Sequence, residues 1–197
     1  MSAVAVEQVV GRAGLRRFLA VPVPLYADDP VWVQPLTFER LMHLDPARNP
    51  FLKSIEIVWL VATRDGRDVG RISAQIDHKR LSLHPDGTGH FGFLEAENDP
   101  TVFAALTEAA EAWLRSKGMT AATGPFDPSI NDQCGLLVEG FDRVPSMMMG
   151  HHRRYYGPSL EALGWAKAKD LLAYWFDLRK PWPEAAQKLL ELSLIHI

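Results

Sequence analysis

The run Ile55–Ile76, IEIVWLVATRDGRDVGRISAQI, constrains this chain more than any other. Two β-rich apolar segments, Ile55–Thr63 and Val69–Ile76, flank Asp65-Gly66, a dipeptide that favours the turn of a two-stranded hairpin. A further strand, His90–Glu95, follows a Gly/Pro-rich turn. Asn98-Asp99-Pro100 then supplies a helix cap and a first-turn proline. Val102–Ser116 places Val102, Leu106, Ala109, Ala110 and Trp113 on one helical face, and Lys117-Gly118 ends it. Met119–Thr123 is the next strand. A strand–helix–strand order of this kind makes its two strands parallel neighbours.

The flanking segments complete the order. Val4–Val10 reads as a strand, Gly14–Leu25 as helical until Pro22 and Pro24, and Trp32–Met42 as a short helical region. Tyr155–Leu163 reads as a helix and Ala168–Leu178 as a long final strand. An α/β fold follows, with a mixed sheet carrying helices on both faces.

A length of 197 residues suits one domain, with 47% hydrophobic residues to fill a core. A net charge of −3 with interspersed signs argues against a nucleic-acid partner. One cysteine, Cys134, excludes an internal disulfide and fits a reducing compartment. The amino terminus has no basic lead and does not read as a signal peptide. No apolar window has the length of a membrane span. These features point to a cytoplasmic protein with no membrane partner.

Leu192–Ile197, LSLIHI, back-translates to a transposon end used in sequencing adapters, which marks it as a non-native tail. The expected organisation is a domain over 1–178, a linker and the start of a truncated element over 179–191, and the tail over 192–197. Pro181-Trp182-Pro183-Glu184 reads as a linker before a helix start. A missing carboxyl-terminal half, or a second copy, is an expected packing partner.

Gly124–Asp142, GPFDPSINDQCGLLVEGFD, alternates turn formers with apolar anchors, so its backbone is expected to be held against the core. It can serve as a rigid ligand-binding loop or as a structural turn. Ser129 and Asn131 can bond a ligand or cap local turns. Cys134 has no basic partner in sequence and reads as a structural thiol. Met147-Met148-Met149 reads as an adaptable apolar plug beside a cavity. His151-His152-Arg153-Arg154 is a basic cluster that can contact phosphate. Adjacent histidines point apart, and no metal site is expected.

With this order of elements, and with GPFDPSINDQCGLLVEGFD and YYGPSLEALGWAKAKDL, the chain resembles a GNAT-type N-acyltransferase of an uncharacterised bacterial branch. The resemblance implies an acyl-CoA N-acyltransferase-like sheet and, as co-substrate, acetyl-CoA or another acyl-CoA. It implies transfer of the acyl group to an amine, with a small-molecule acceptor expected. The arm of the cofactor would enter between His90–Glu95 and Met119–Thr123. Backbone amides at Phe93 and Leu94 would hold it and polarise the thioester carbonyl. Ser129, Asn131 and Arg153 would add contacts to the cofactor. Glu95 would act as general base, and Tyr156, or its neighbour Tyr155, would return a proton to the thiolate. An unperturbed Glu titrates near ~4.3, so this role needs burial or a nearby carboxylate, which Glu97 and Asp99 can supply. A solvated acidic helix cap explains all three equally simply.

One departure is plain. The turn Glu95–Thr101 holds no glycine, no arginine and three carboxylates, a poor cradle for a pyrophosphate. The alternative is a catalytically silent half that binds a ligand or supports the rest of a longer protein. A CoA-independent enzyme working through Ser129–Cys134 is a third possibility.

Overall fold

The computed structural model describes residues 2–174, 177 and 179–194, without the side chains of Leu190 and of residues 192–194. The chain divides into two compact units, Met1–Ala166 and Lys167–Ile197.

The first unit opens with β1 (Ala5–Val9), α1 (Gly11–Ala20) and α2 (Pro22–Leu25). α3 (Thr37–His43) and a 3-10 turn at Pro50–Lys53 lead into β2 (Ile55–Arg64) and β3 (Arg67–Asp77). The Asp65-Gly66 turn places both residues at positive φ, 51° and 73°, as a tight hairpin requires. α4 (His78–Leu83), absent from the sequence reading, is capped by the Asp77 side chain on the Arg80 amide. β4 (Thr88–Ala96), α5 (Pro100–Ser116) and β5 (Ala121–Thr123) form the expected crossover, with β4 and β5 parallel. The sheet order is β1-β2-β3-β4-β5, antiparallel except for that last pair. β6 (Phe126–Asp127) and β7 (Gln133–Cys134) pair as a small hairpin, and α6 (Tyr156–Ala162) completes the unit.

Both faces of the sheet are covered. On one face α5 buries Val102, Phe103, Leu106, Ala110 and Leu114 against Val58, Ile72 and Leu94. On the other, Phe18 of α1 joins Val9, Val61 and Phe93. Phe18, Trp59 and Phe93 meet edge to face, with centroids 5.1–5.7 Å apart.

The register of β4 decides what each face carries. Arg71 pairs with Glu95 and Ser73 with Gly92, so two steps on β3 oppose three on β4. This is a β-bulge, and its residue Phe93 has φ of 50°. One extra residue inverts the alternation beyond it. Phe91, Leu94 and Ala96 therefore join the core under α5, while Phe93 and Glu95 face away from it.

The second unit departs from expectation. Described residues 168–174 form no strand, and Leu171, Leu172 and Tyr174 are exposed. Strand propensity is realised only against a free sheet edge, and no ladder forms there among the described residues. Trp175, Phe176 and Leu178 lie outside the described residues. α7 (Glu184–Leu194) starts where the Pro181–Glu184 signal places it.

Candidate active site

The bulge aims Glu95 into a polar nest inside an otherwise apolar wall. Glu95 is 8% exposed. Its Oε2 accepts hydrogen bonds from the Tyr156 hydroxyl at 2.7 Å and the Tyr26 hydroxyl at 2.8 Å. Its Oε1 lies 3.6 Å from Nη2 of buried Arg71. Arg71 also donates to the Phe18 carbonyl at 3.1 Å and stacks over the Phe18 ring. The Tyr156 hydroxyl in turn accepts from the Ala96 amide at 3.1 Å.

Burial pushes the Glu95 carboxyl up to about 7, against the opposing pull of Arg71, Tyr156 and Tyr26. Burial likewise raises Asp127 to about 6, although its carboxylate accepts the Phe93 amide and feels Arg71. Two carboxyls near neutrality on one side of the sheet are an unusual concentration of titratable groups. The carboxylate that adds to the rise of Glu95 is Asp127. Glu97 and Asp99 turn instead to Arg67 at 3.5 Å and Arg64 at 2.8 Å. Asp99 also caps α5 by accepting the Thr101 amide at 2.8 Å. The solvated-cap explanation thus holds for these two residues and not for Glu95.

Glu95, Arg71, Phe93 and Asp127 line a cavity of about 80 Å3. Its walls include Trp32, Val33, Pro35 and Met149, so the Met147–Met149 segment does border a cavity. Val33 is 57% exposed, and Leu36 and Phe38, next along the chain, are 63% and 64% exposed. A larger opening of about 510 Å3 adjoins Asp29, Arg154 and Tyr155, and His151 and His152 line both spaces. His151 Nε2 pairs with Asp29 at 3.0 Å.

The other residues singled out in the sequence fall as follows. Leu94 is buried in the α5 core, turned from the cavity. Tyr155 donates to the Ala96 carbonyl at 2.8 Å, and burial pushes its phenol up to about 12. Arg153 is drawn to the Leu25 carbonyl at 2.6 Å and to Asp28. The Ser129 hydroxyl donates to Asp132 and accepts the Asn131 amide, a local turn, while Asn131 is exposed. Cys134 is half-buried in β7. Among the described residues, no group of three or more His, Cys, Asp or Glu side chains is placed to hold a metal ion. No helix among them is long and apolar enough to cross a membrane.

The gap between β4 and β5 is closed. A Cβ on Gly124 would meet the Phe91 carbonyl oxygen at 2.3 Å, and one on Gly92 would meet that of Phe126 at 1.8 Å. The Gln75 amide donates to the Phe126 and Pro128 carbonyls, pinning the segment from β3. The Gly124–Pro128 end of the loop is thus held against the sheet, where the resemblance would admit the cofactor arm, whereas its expected apolar anchors Ile130 and Val138 are exposed.

Tyr26 was not among the expected site residues, yet it is 1% exposed and bonded to Glu95. Its ring stacks on Trp32 at 5.0 Å, with Arg153 over it. Its side-chain partners at Glu95 and Tyr156 lie 69 and 130 residues away, so no local spacing announces it.

Comparison with solved structures settles the architecture. AAC(6')-Iy, in complex with the bisubstrate analogue CoA-S-monomethyl-acetylneamine, superposes with a TM-score of 0.52 at 14% identity, over 89% of this chain and 99% of that one. The fold is that of the GNAT acetyltransferases. A second GNAT-fold neighbour is the aminoglycoside acetyltransferase meta-AAC0020 from an uncultured soil metagenomic sample, in complex with sisomicin. It has a TM-score of 0.50 at 10% identity, over 89% and 96% of the two chains. No protein-family model matches the chain. Among curated proteins, the bacterial ceramide synthase of Caulobacter vibrioides is 50% identical over 187 residues, 92% of this chain and 48% of that protein. Protein YghO of Escherichia coli is 46% identical over 174 residues, 87% and 44% of the two. The chain spans about half the length of these relatives.

Proposed function

We propose that this GNAT-fold chain catalyses transfer of an acyl group from an acyl-CoA thioester to the amine of a long-chain amino alcohol in the cytoplasm. The observation that carries the reading is Glu95. A carboxyl turned inward by a bulge, held near neutrality and bordering a cavity with both polar and apolar walls is suited to take a proton from an amine. Tyr26 and Tyr156 fix one oxygen of that carboxyl, and Arg71 stabilises its ionised form. The exposed apolar residues at Val33, Leu36 and Phe38 suit an alkyl chain extending from the cavity. The bacterial ceramide synthase, at 50% identity, supports this acceptor class, since a ceramide is the amide of a fatty acid and a long-chain amino alcohol.

The test is direct. Purified chain is mixed with a long-chain acyl-CoA and a long-chain 2-amino alcohol, and the amide and free thiol are followed by mass spectrometry and thiol titration. Stoichiometric amide and thiol are expected. Thioester hydrolysis without amide would refute the reading.

A second reading is favoured by two specific observations. The Asp99 side chain takes an amide at the α5 amino end, and the strand gap is closed. Both suit a half that binds the acceptor while CoA is held elsewhere in a longer protein. Calorimetric titration separates the two: acyl-CoA binding to this chain supports the first, and acceptor binding without acyl-CoA binding supports the second.

A further inference from the structure

Two of the donors that the resemblance assigns to the thioester are already engaged. The Phe93 amide donates to Asp127, and the Tyr156 hydroxyl donates to Glu95. A third donor faces the same space. His152 is 8% exposed and lines both the cavity that Glu95 borders and the larger opening beside it. The Leu137 amide donates to its Nδ1 at 3.1 Å. A ring nitrogen that accepts an amide hydrogen carries no proton, so the neutral ring carries its proton on Nε2. Burial pushes the imidazole down to about 4, helped by nearby Arg71, and the ring is neutral at physiological pH. Its position is fixed from two sides. The Gly150 backbone passes so close that a Cβ there would lie 2.8 Å from His152 Cε1, and the Tyr156 ring packs with its centroid 5.7 Å away.

We propose that His152 is a catalytic residue of the acyl transfer, its Nε2–H donating a hydrogen bond to the thioester carbonyl oxygen as negative charge develops there. This rests on the acyl-transfer reading given above. The amine nitrogen bonds to the carbonyl carbon while its proton passes to the Glu95 carboxylate. The carbonyl π pair moves onto oxygen, where Nε2–H receives it. On collapse that pair re-forms the carbonyl, the C–S bond breaks, and its electrons leave on sulfur. The thiolate then takes up one proton and Glu95 releases one, so the products are amide and thiol. A neutral imidazole suits this task because it strengthens a hydrogen bond to growing charge without surrendering its own proton. His152 borders both openings, so donor and acceptor can meet beside it without parting β4 from β5.

Steady-state kinetics of wild type, His152→Ala and His152→Gln, with a long-chain acyl-CoA and a long-chain 2-amino alcohol, test the assignment. The expected result is a kcat lower by roughly 100- to 1,000-fold in the alanine variant, with both KM values little changed. Glutamine, which keeps an N–H donor, is expected to recover part of the loss. A kcat near wild type, or a loss confined to KM, overturns the proposal while leaving acyl transfer standing. An inactive wild type overturns both. Nitrogen-15 NMR of the wild-type imidazoles gives a check that needs no variant. The Nε2-protonated tautomer at His152 is expected, and the Nδ1-protonated form would overturn the assignment.

Discussion

Changing Tyr156 to phenylalanine separates two roles for that residue. Its hydroxyl donates to Glu95 at 2.7 Å and accepts the Ala96 amide at 3.1 Å, at a site of 0% exposure. Removing it leaves the Ala96 amide unpartnered, which costs about 1–3 kcal/mol at any pH. It also removes a hydrogen bond that favours ionised Glu95, worth roughly 1.5–3 kcal/mol, so the carboxyl moves further above its present value of about 7.

The pH dependence follows from the sign of that shift. Glu95 is raised in the fold from an ordinary 4.5, so its contribution to stability is fully present below 4.5 and is lost as pH rises through about 7. The gap amounts to about 3 kcal/mol. In Tyr156→Phe the loss continues to higher pH. Urea unfolding of both proteins at pH 5 and pH 8.5 measures it. The variant should be less stable by about 1–3 kcal/mol at pH 5, with the deficit larger by a similar amount at pH 8.5. The acid limb of the activity profile should move up by about one to two pH units. An equal deficit at both pH values, with an unmoved limb, would refute the coupling of Tyr156 to Glu95. A fall in kcat without any shift of the limb would restore the proton-donor role.

Further outcomes follow from the same geometry. Gly92→Ala forces a Cβ against the Phe126 carbonyl and should cost on the order of 3 kcal/mol, read by thermal melting. Asp127→Ala orphans the Phe93 amide at a residue of positive φ, so about 1–3 kcal/mol and amide-exchange protection at Phe93 should be lost, while Asp127→Asn should retain most of both. Phe18→Ala empties the aromatic cluster behind Arg71 and should cost about 3–5 kcal/mol. Arg64→Ala, which loses the ion pair with Asp99 away from the cavity, should cost about 1 kcal/mol and leave acyl transfer unchanged.

The parts of the fold that were legible are those in which local and long-range preferences agree. Asp65-Gly66 between alternating segments names its hairpin, and Asp99-Pro100 names the start of α5, because turn and cap chemistry act within a few residues. The site was less legible because a single inserted residue governs it. Read as a regular strand, HFGFLEA puts Phe91, Phe93 and Glu95 on one face. The bulge at Phe93 sends Phe91 to one core and Glu95 to the other side. Gly92 within the strand was the available signal, since glycine there marks a bulge or a close backbone approach. Here it marks both. Tyr26 and His152 had no such signal. Their roles depend on contacts to Glu95 and Leu137, set by the closing of the whole sheet. The described residues 168–174 of the expected last strand form no ladder for the converse reason, since their propensity is local and a pairing edge is not.

Amide formation by wild type and Glu95→Gln, from a long-chain acyl-CoA and a long-chain 2-amino alcohol at pH 8, tests the central claim most directly. Glutamine preserves the volume and can still accept from Tyr26 and Tyr156, but it cannot take a proton from the amine. The wild type should form amide, and the variant should be slower by roughly 100- to 10,000-fold with its fold intact by circular dichroism. Amide formation at the same rate by a folded Glu95→Gln variant would contradict the assignment of Glu95 as the base on which this account stands.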